Sequence, residues 1–148
     1  MKVVLQRVLK AKCIVNNEIT GSIQKGLVLL VGMAHGDREE TAFKMAMKVK
    51  DLRIFEDENE KMNLSLNDVG GEVLSISQFT LYADCKKGRR PSFQEAMRPE
   101  EANRLYQYFN QVLIEHGICV ETGVFQADMK IELINNGPCT IVLDSKEL

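Results

Sequence analysis

The chain has no tryptophan, only three prolines and only two histidines. With so little proline, no proline-rich linker or low-complexity segment divides it, and no internal repeat is visible. Its four cysteines, Cys13, Cys85, Cys119 and Cys139, are scattered without a Cys-x-x-Cys pair or a neighbouring histidine. That spacing supports neither a structural zinc site nor a redox pair, and a thiol nucleophile would lack its base. Reduced thiols, buried or half-buried, are expected. The longest apolar runs, such as residues 26–33, are strand-length and far short of a membrane span. Met1-Lys2-Val3-Val4 leads straight into a strand-like pattern without signal-peptide architecture, so a cytoplasmic location is expected. Excess positive charge is missing too, the net charge being −2. Long nucleic acid held through many phosphates calls for a basic protein, so DNA is not an expected partner. A short RNA end gripped by one local basic patch stays open.

What is present fits one globular domain over residues 1–148, with 45% hydrophobic and 27% charged residues. Residues 2–9 are rich in β-formers but broken by Gln6-Arg7, which reads as an edge strand with its polar face outward. Cys13-Ile14-Val15 and residues 18–23 flank Asn16-Asn17, a pair that tolerates positive φ, and predict a hairpin. Residues 26–33 predict a central strand. Asp37 followed by Glu40 is a capping-box pattern, and Ala42, Met45, Ala46, Val49 and Leu52 recur behind it at helical spacing. His35, in the loop before this helix, is expected to face solvent. The carboxylates of Glu56-Asp57-Glu58-Asn59-Glu60 lack the ligand spacing of a calcium loop, so they read as a solvated turn and no metal is assigned.

Pro99 with Glu100 and Glu101 opens a second helix, whose stripe is Ala102, Leu105, Phe109, Val112, Leu113 and His116. Gly117 ends it, with His116 expected to cap its last turn. The tail alternates as strands over 119–121, 128–134 and 140–144. A tight hairpin turn is expected at Asn135-Asn136-Gly137-Pro138, between the last two.

Chemistry is expected at Ser77-Gln78-Phe79-Thr80-Leu81, which ends the apolar run Val73-Leu74-Ser75-Ile76. A buried strand rarely carries Ser, Gln and Thr together without a use, since each unpaired polar group costs about 1–3 kcal/mol. The plainer reading has Ser77 and Thr80 bonding neighbouring backbone while Gln78 faces water. Downstream, Lys86, Lys87, Arg89 and Arg90 surround Gly88 ahead of the rigid Pro91, which makes either a phosphate contact or a solvated basic loop.

The combination resembles the D-aminoacyl-tRNA deacylases, formerly called D-tyrosyl-tRNA deacylases. Their two signatures, Ser-Gln-Phe-Thr-Leu and Asn-x-Gly-Pro-x-Thr, stand intact at 77–81 and 135–140. Gln6-Arg7-Val8, Arg53-Ile54-Phe55, Lys61-Met62-Asn63, Arg90-Pro91-Ser92-Phe93, Thr122-Gly123-x-Phe125 and Ala127-x-Met129 extend the match over nearly the whole chain. Glu60 departs from it, where family members often carry Gly.

The resemblance implies an α/β fold of mixed, mainly antiparallel, barrel-like β-sheets covered by two main helices, assembled as a homodimer. It implies hydrolysis of the ester joining a D-amino acid to the 3′-terminal adenosine of tRNA. No cofactor is expected, and no metal, because no cluster of side chains has ligand spacing. Ser77, Gln78, Phe79 and Thr80 are the implied catalytic stretch, with the Phe79 N–H and the Gln78 amide stabilising the oxyanion. Thr80 either shapes the pocket while the substrate's 2′-hydroxyl assists, or is itself the nucleophile. Gly137-Pro138 is implied to be a cis peptide reaching into the other subunit's pocket to exclude L side chains. Asn135, Thr140 and Met129 belong to the same substrate-binding set. Lys86, Lys87, Arg89 and Arg90 would grip the acceptor-end phosphates, with Arg7 joining them or bracing the pocket. A filter that only excludes side chains should also pass glycine mischarged on a non-cognate tRNA such as tRNA-Ala. Two other readings are a non-catalytic aminoacyl-tRNA-binding dimer and a structural domain with a satisfied polar strand end. A general esterase for free amino-acid esters would differ by ignoring the tRNA body.

Overall fold

The computed structural model describes all 148 residues, Met1–Leu148. Its centre is built by strands whose apolar residues need cover on both faces. β1 (Lys2–Val15), β2 (Glu18–Ile23), β3 (Gly26–Gly32), β6 (Glu72–Ser77), β7 (Cys119–Thr122) and β8 (Lys130–Asp144) form one sheet in the order β2-β1-β3-β6-β7, with β8 also on β1. β1 runs antiparallel to β2, β3 and β8, whereas β6 runs parallel to β3 and β7. β2 curls over towards β7, and a Cβ added at Gly21 would lie 2.7 Å from the Thr122 carbonyl oxygen. The sheet is thereby a nearly closed, barrel-like body.

Two apolar clusters explain why β3 and β6 read as continuous apolar runs. Val8, Ala11, Cys13, Ile23, Val28, Leu74 and Ile76 fill the barrel interior. Val3, Leu5, Leu27, Leu29, Val31 and Val73 face outward onto α1 (Glu39–Asp51) and α2 (Pro99–Glu115). The helices meet them with the expected stripes, Ala42, Met45, Ala46 and Val49 from α1 and Leu105, Phe109, Val112 and Leu113 from α2. Pro99 stands at the start of α2, and His116 Nδ1 lies 2.7 Å from the Val112 carbonyl at its end. No helix is long and apolar enough to cross a membrane.

The structure corrects four expectations. Residues 2–9 are not an edge strand, because β1 is paired on one side with β3 and on the other with β8. Asn135–Pro138 is not a hairpin turn, since β8 continues along β1 on both sides of it, Gln6 facing Thr140 and Val8 facing Asn135. Four residues of β8 thus stand opposite the single residue Arg7, which makes the segment a bulge. Asp37 does not cap α1: Arg38 holds that position, and the Asp37 carboxylate accepts instead from the Ala34 N–H and the Met1 main-chain nitrogen, each at 2.7 Å. Of the free thiols, Cys13 and Cys139 are buried, but Cys85 and Cys119 are exposed, one in the basic loop and one at the start of β7.

β4 (Phe55–Glu56) and β5 (Met62–Leu64) make a separate small hairpin around the acidic turn. Glu60 there adopts φ +58, a left-handed conformation that costs a residue with a side chain about 1–2 kcal/mol. Glycine would give back about 0.5–1 kcal/mol of that through its own chain entropy. Glu60→Gly is therefore expected to stabilise the chain by about 0.5–1 kcal/mol, read as a Tm higher by roughly 1–4 °C. A lower Tm would mean that the Glu60 side chain makes a favourable interaction of its own.

Candidate functional site

β6 ends at Ser77, and the chain turns at once into a single 3₁₀ turn over Phe79–Tyr82. Gln78 fixes the junction by donating its N–H to the Val31 carbonyl of β3 at 2.8 Å. As the opening residues of a helical turn, Phe79 and Thr80 have N–H groups with no intrahelical acceptor, and no loop or cap bond takes them. The side chains of both residues are exposed, Phe79 at 55%. Gln78 Nε2 donates to Thr80 Oγ1 at 2.5 Å, which holds the two polar side chains as one unit. These are unspent main-chain donors beside a fixed amide, which suits an oxyanion. Tyr82, closing the same turn, is buried, and its hydroxyl pKa is pushed up by that burial and by Asp37, Asp144 and Glu95. It stays protonated near neutral pH and cannot serve as a base.

The basic loop leaves directly from this turn. Asp84 and Ser92 exchange main-chain hydrogen bonds at 2.7 and 2.9 Å, closing the loop's base. Phe93 then packs edge-on against Phe79 with ring centroids 5.0 Å apart. Lys86, Lys87, Arg89 and Arg90 are all exposed at the loop's tip, a few residues from Thr80.

The second signature is built just as locally. Asn135 spans the bulge: its Oδ1 accepts from the Cys139 N–H at 2.7 Å, and its Nδ2 donates to Cys139 O at 3.3 Å and to Thr140 Oγ1 at 3.1 Å. Gln6 Nε2 also donates to Thr140 Oγ1. Gly137 and Pro138 are lifted clear of the strand and exposed, and the peptide bond between them is cis. Beneath them lies Arg7, 4% exposed, donating from Nε to the Asn136 carbonyl at 2.9 Å and from Nη1 to the Ile54 carbonyl at 2.6 Å. Its place is under the bulge and away from the exposed cations of the basic loop.

Within one chain the two signatures do not meet. β1 and β3 stand between β8 and β6, which at about 4.8 Å per strand separates them laterally by about 14 Å. Ser77 also sits at the level of Leu143, further along the sheet than Gly137. Met129 belongs to the β6 side, where a Cβ on Gly123 would lie 2.4 Å from its sulfur, next to Ile76 and Cys13. A cavity of about 300 Å³ between residues 10–12, 22–24 and 132–134 touches neither signature. No three His, Cys, Asp or Glu side chains gather as a metal ion would need. Sequence reasoning does not anticipate Ile54, Glu56 or Gln6 as supports of the bulge. The one signal for them is the adjacent polar pair Gln6-Arg7, set between the apolar residues Val3-Val4-Leu5 and Val8-Leu9.

Comparison with known proteins gives a consistent outcome. The family profile described as D-Tyr-tRNA(Tyr) deacylase matches residues 4–144. A D-aminoacyl-tRNA deacylase from a Geobacillus species is 58% identical over 147 residues, covering 99% of this chain and 97% of that one. Another from Lactobacillus delbrueckii subsp. bulgaricus is 58% identical over 144 residues, covering 97% and 99%. Among solved structures, one titled c-Myc DNA Unwinding Element Binding Protein superposes with a TM-score of 0.92 at 36% identity, covering 97% of this chain and 98% of that one.

Proposed function

The chain belongs to the D-Tyr-tRNA(Tyr) deacylase family, hydrolases of D-aminoacyl-tRNA, and on that premise we propose how its two exposed signatures divide the work. The 77–80 stretch performs the hydrolysis. The ester carbonyl sits against the Phe79 N–H and the Gln78 amide, which stabilise the oxyanion as water attacks. Gly137 and Pro138 act as the chiral filter, their main-chain carbonyls facing the substrate's α-amino group and filling the space an L side chain would occupy. Main chain is stiffer than a wall of side chains, so this exclusion does not depend on rotamers. Asn135 and Thr140 hold the filter's ends, and Met129 lines the pocket.

The observation that carries the reading is the separation of the two signatures across β1 and β3. A filter too far from its own chain's donors must serve those of a second copy, which supports a homodimer with Gly137-Pro138 reaching into the partner's pocket. Free D-amino acid and tRNA are the products, and the reaction belongs in the cytoplasm, where tRNA is charged. Parallel release of D-tyrosine and L-tyrosine from charged tRNA tests the reading, with D release fast and L release negligible as the expected result.

A purely exclusionary filter has nothing to exclude in glycine. Glycine mischarged on tRNA-Ala is therefore expected to be released at enzyme concentrations that clear D-tyrosine. Its persistence under those conditions would require the pocket to read a side chain positively.

Lys86, Lys87, Arg89 and Arg90 meet the acceptor-end phosphates in this reading. Neutralising two or three of them predicts a log–log salt slope for tRNA binding of about −1.5 to −2.5. Lys87→Glu with Arg90→Glu is expected to flatten that slope while leaving Tm unchanged. A wild-type slope near zero would remove the loop from the interface.

A further inference from the structure

Two of the sequence matches, Arg53-Ile54-Phe55 and Lys61-Met62-Asn63, take no part in hydrolysis or in the filter itself. They build the β4–β5 hairpin. Its inner edge is fixed to the core by Ile54 and Phe55, both buried. Its outer part is tied by polar contacts: Arg53 Nε donates to the Asn63 carbonyl at 2.7 Å, the same guanidinium reaches Asn63 Oδ1, and Asn63 Nδ2 donates to Asp57 at 3.2 Å.

One side chain, Arg7, links the hairpin to the bulge. The Arg7 guanidinium donates to the Ile54 carbonyl, lies 3.6 Å from Glu56 Oε1 through Nη2, and donates to the Asn136 carbonyl through Nε. A guanidinium is a planar fork, so partners on three of its edges fix both its place and its tilt. Carbonyls alone leave a buried cation without a countercharge, and Glu56 supplies one. Gly137 rests on this fork, for a Cβ added there would lie 3.0 Å from Arg7 Nη2. Displacement of the guanidinium is therefore passed directly to the filter's main chain.

Building on the filter reading above, we propose that the β4–β5 hairpin is the mount of the chiral filter. Ile54 and Glu56 hold Arg7 in register, Asn63 keeps the hairpin closed behind them, and Arg7 transmits that rigidity to Gly137-Pro138. Glu56 and Asn63 are thus positioning residues for substrate chirality, acting through Arg7.

The test uses Glu56→Ala, Glu56→Gln and Asn63→Ala in the full chain. Release of D- and L-tyrosine from charged tRNA is measured beside amide hydrogen exchange at Cys139, whose N–H is bonded within the bulge. Glu56→Ala and Asn63→Ala are expected to keep D-tyrosine turnover within about twofold, raise L-tyrosine release about tenfold and speed exchange at Cys139. Glu56→Gln, which keeps an oxygen near Arg7 but removes the countercharge, is expected to fall between wild type and Glu56→Ala. Unchanged exchange and unchanged L release would overturn the mount. Faster exchange with unchanged L release would leave a merely structural hairpin and overturn the selectivity role. Should Asn63→Ala fold poorly, Glu56→Ala, a change to a half-exposed side chain, decides alone. If the wild-type chain releases neither amino acid, the deacylase reading fails, and Cys139 exchange in Glu56→Ala still decides whether the hairpin holds the bulge.

Discussion

Replacing Pro138 with alanine is expected to bring release of L-tyrosine to within about tenfold of D-tyrosine, against a separation of about 10³ in the unmodified chain. A factor of 10³ corresponds to about 4 kcal/mol. A missing van der Waals contact is worth far less, whereas a side chain driven into fixed main chain reaches that magnitude readily. The proposed filter depends on where two carbonyls point, and proline's ring locks φ at its own position. Alanine restores that freedom and adds an N–H, so the carbonyls no longer occupy the forbidden volume at all times. Pro138 is exposed and its side chain fills no core, so the variant should fold, and its D-tyrosine release is expected to survive. Equal release of both enantiomers by the wild-type chain would remove the filter while keeping the esterase. A Pro138→Ala variant as selective as wild type would move discrimination to some other wall of the pocket.

The parts of this molecule that are legible in its sequence are those decided locally. Ala42, Met45, Ala46 and Val49 all lie on the core side of α1 because helical spacing leaves them no other face. Asn16 and Asn17, at φ +49 and +63, make the turn their residue types allow. Arg7 is different, because a charged residue in a strand ordinarily faces water. Its burial rests on carbonyls 129 and 47 residues away in sequence, which local pattern does not reveal. Asn135-Asn136-Gly137-Pro138 is ambiguous for a related reason. The same residue types serve a chain-reversing turn and a bulge in a continuing strand, and only the pairing of β1 with both flanks tells them apart. The proposed catalytic stretch, residues 77–80, lies between these cases. Its polar residues at the end of an apolar strand are visible in the sequence, but the free N–H groups of Phe79 and Thr80 arise from the 3₁₀ turn that follows.

The proposed role of Thr80 rests on that same turn, and a substrate whose terminal adenosine lacks its 2′-hydroxyl is expected to lose about 10²- to 10³-fold in rate. A threonine nucleophile must hand its proton to a base as it attacks. Thr80 Oγ1 receives a hydrogen bond from Gln78 Nε2, a donor that accepts no proton. Tyr82, the titratable residue of the turn, is held protonated by burial and by three neighbouring carboxylates. Neither chain residue activates the hydroxyl. The 2′-hydroxyl of the substrate lies beside the 3′-ester by covalent structure, placed to assist attack without any help from the protein. Thr80→Val, which keeps the volume and removes the hydroxyl, is accordingly expected to retain turnover within about tenfold. The opposite pair of outcomes, a dead Thr80→Val variant and full activity on the 2′-deoxy substrate, would make Thr80 the nucleophile. Trapping of an acyl-enzyme on Thr80 during single-turnover release of D-tyrosine would then be required, since nucleophilic catalysis must pass through that ester.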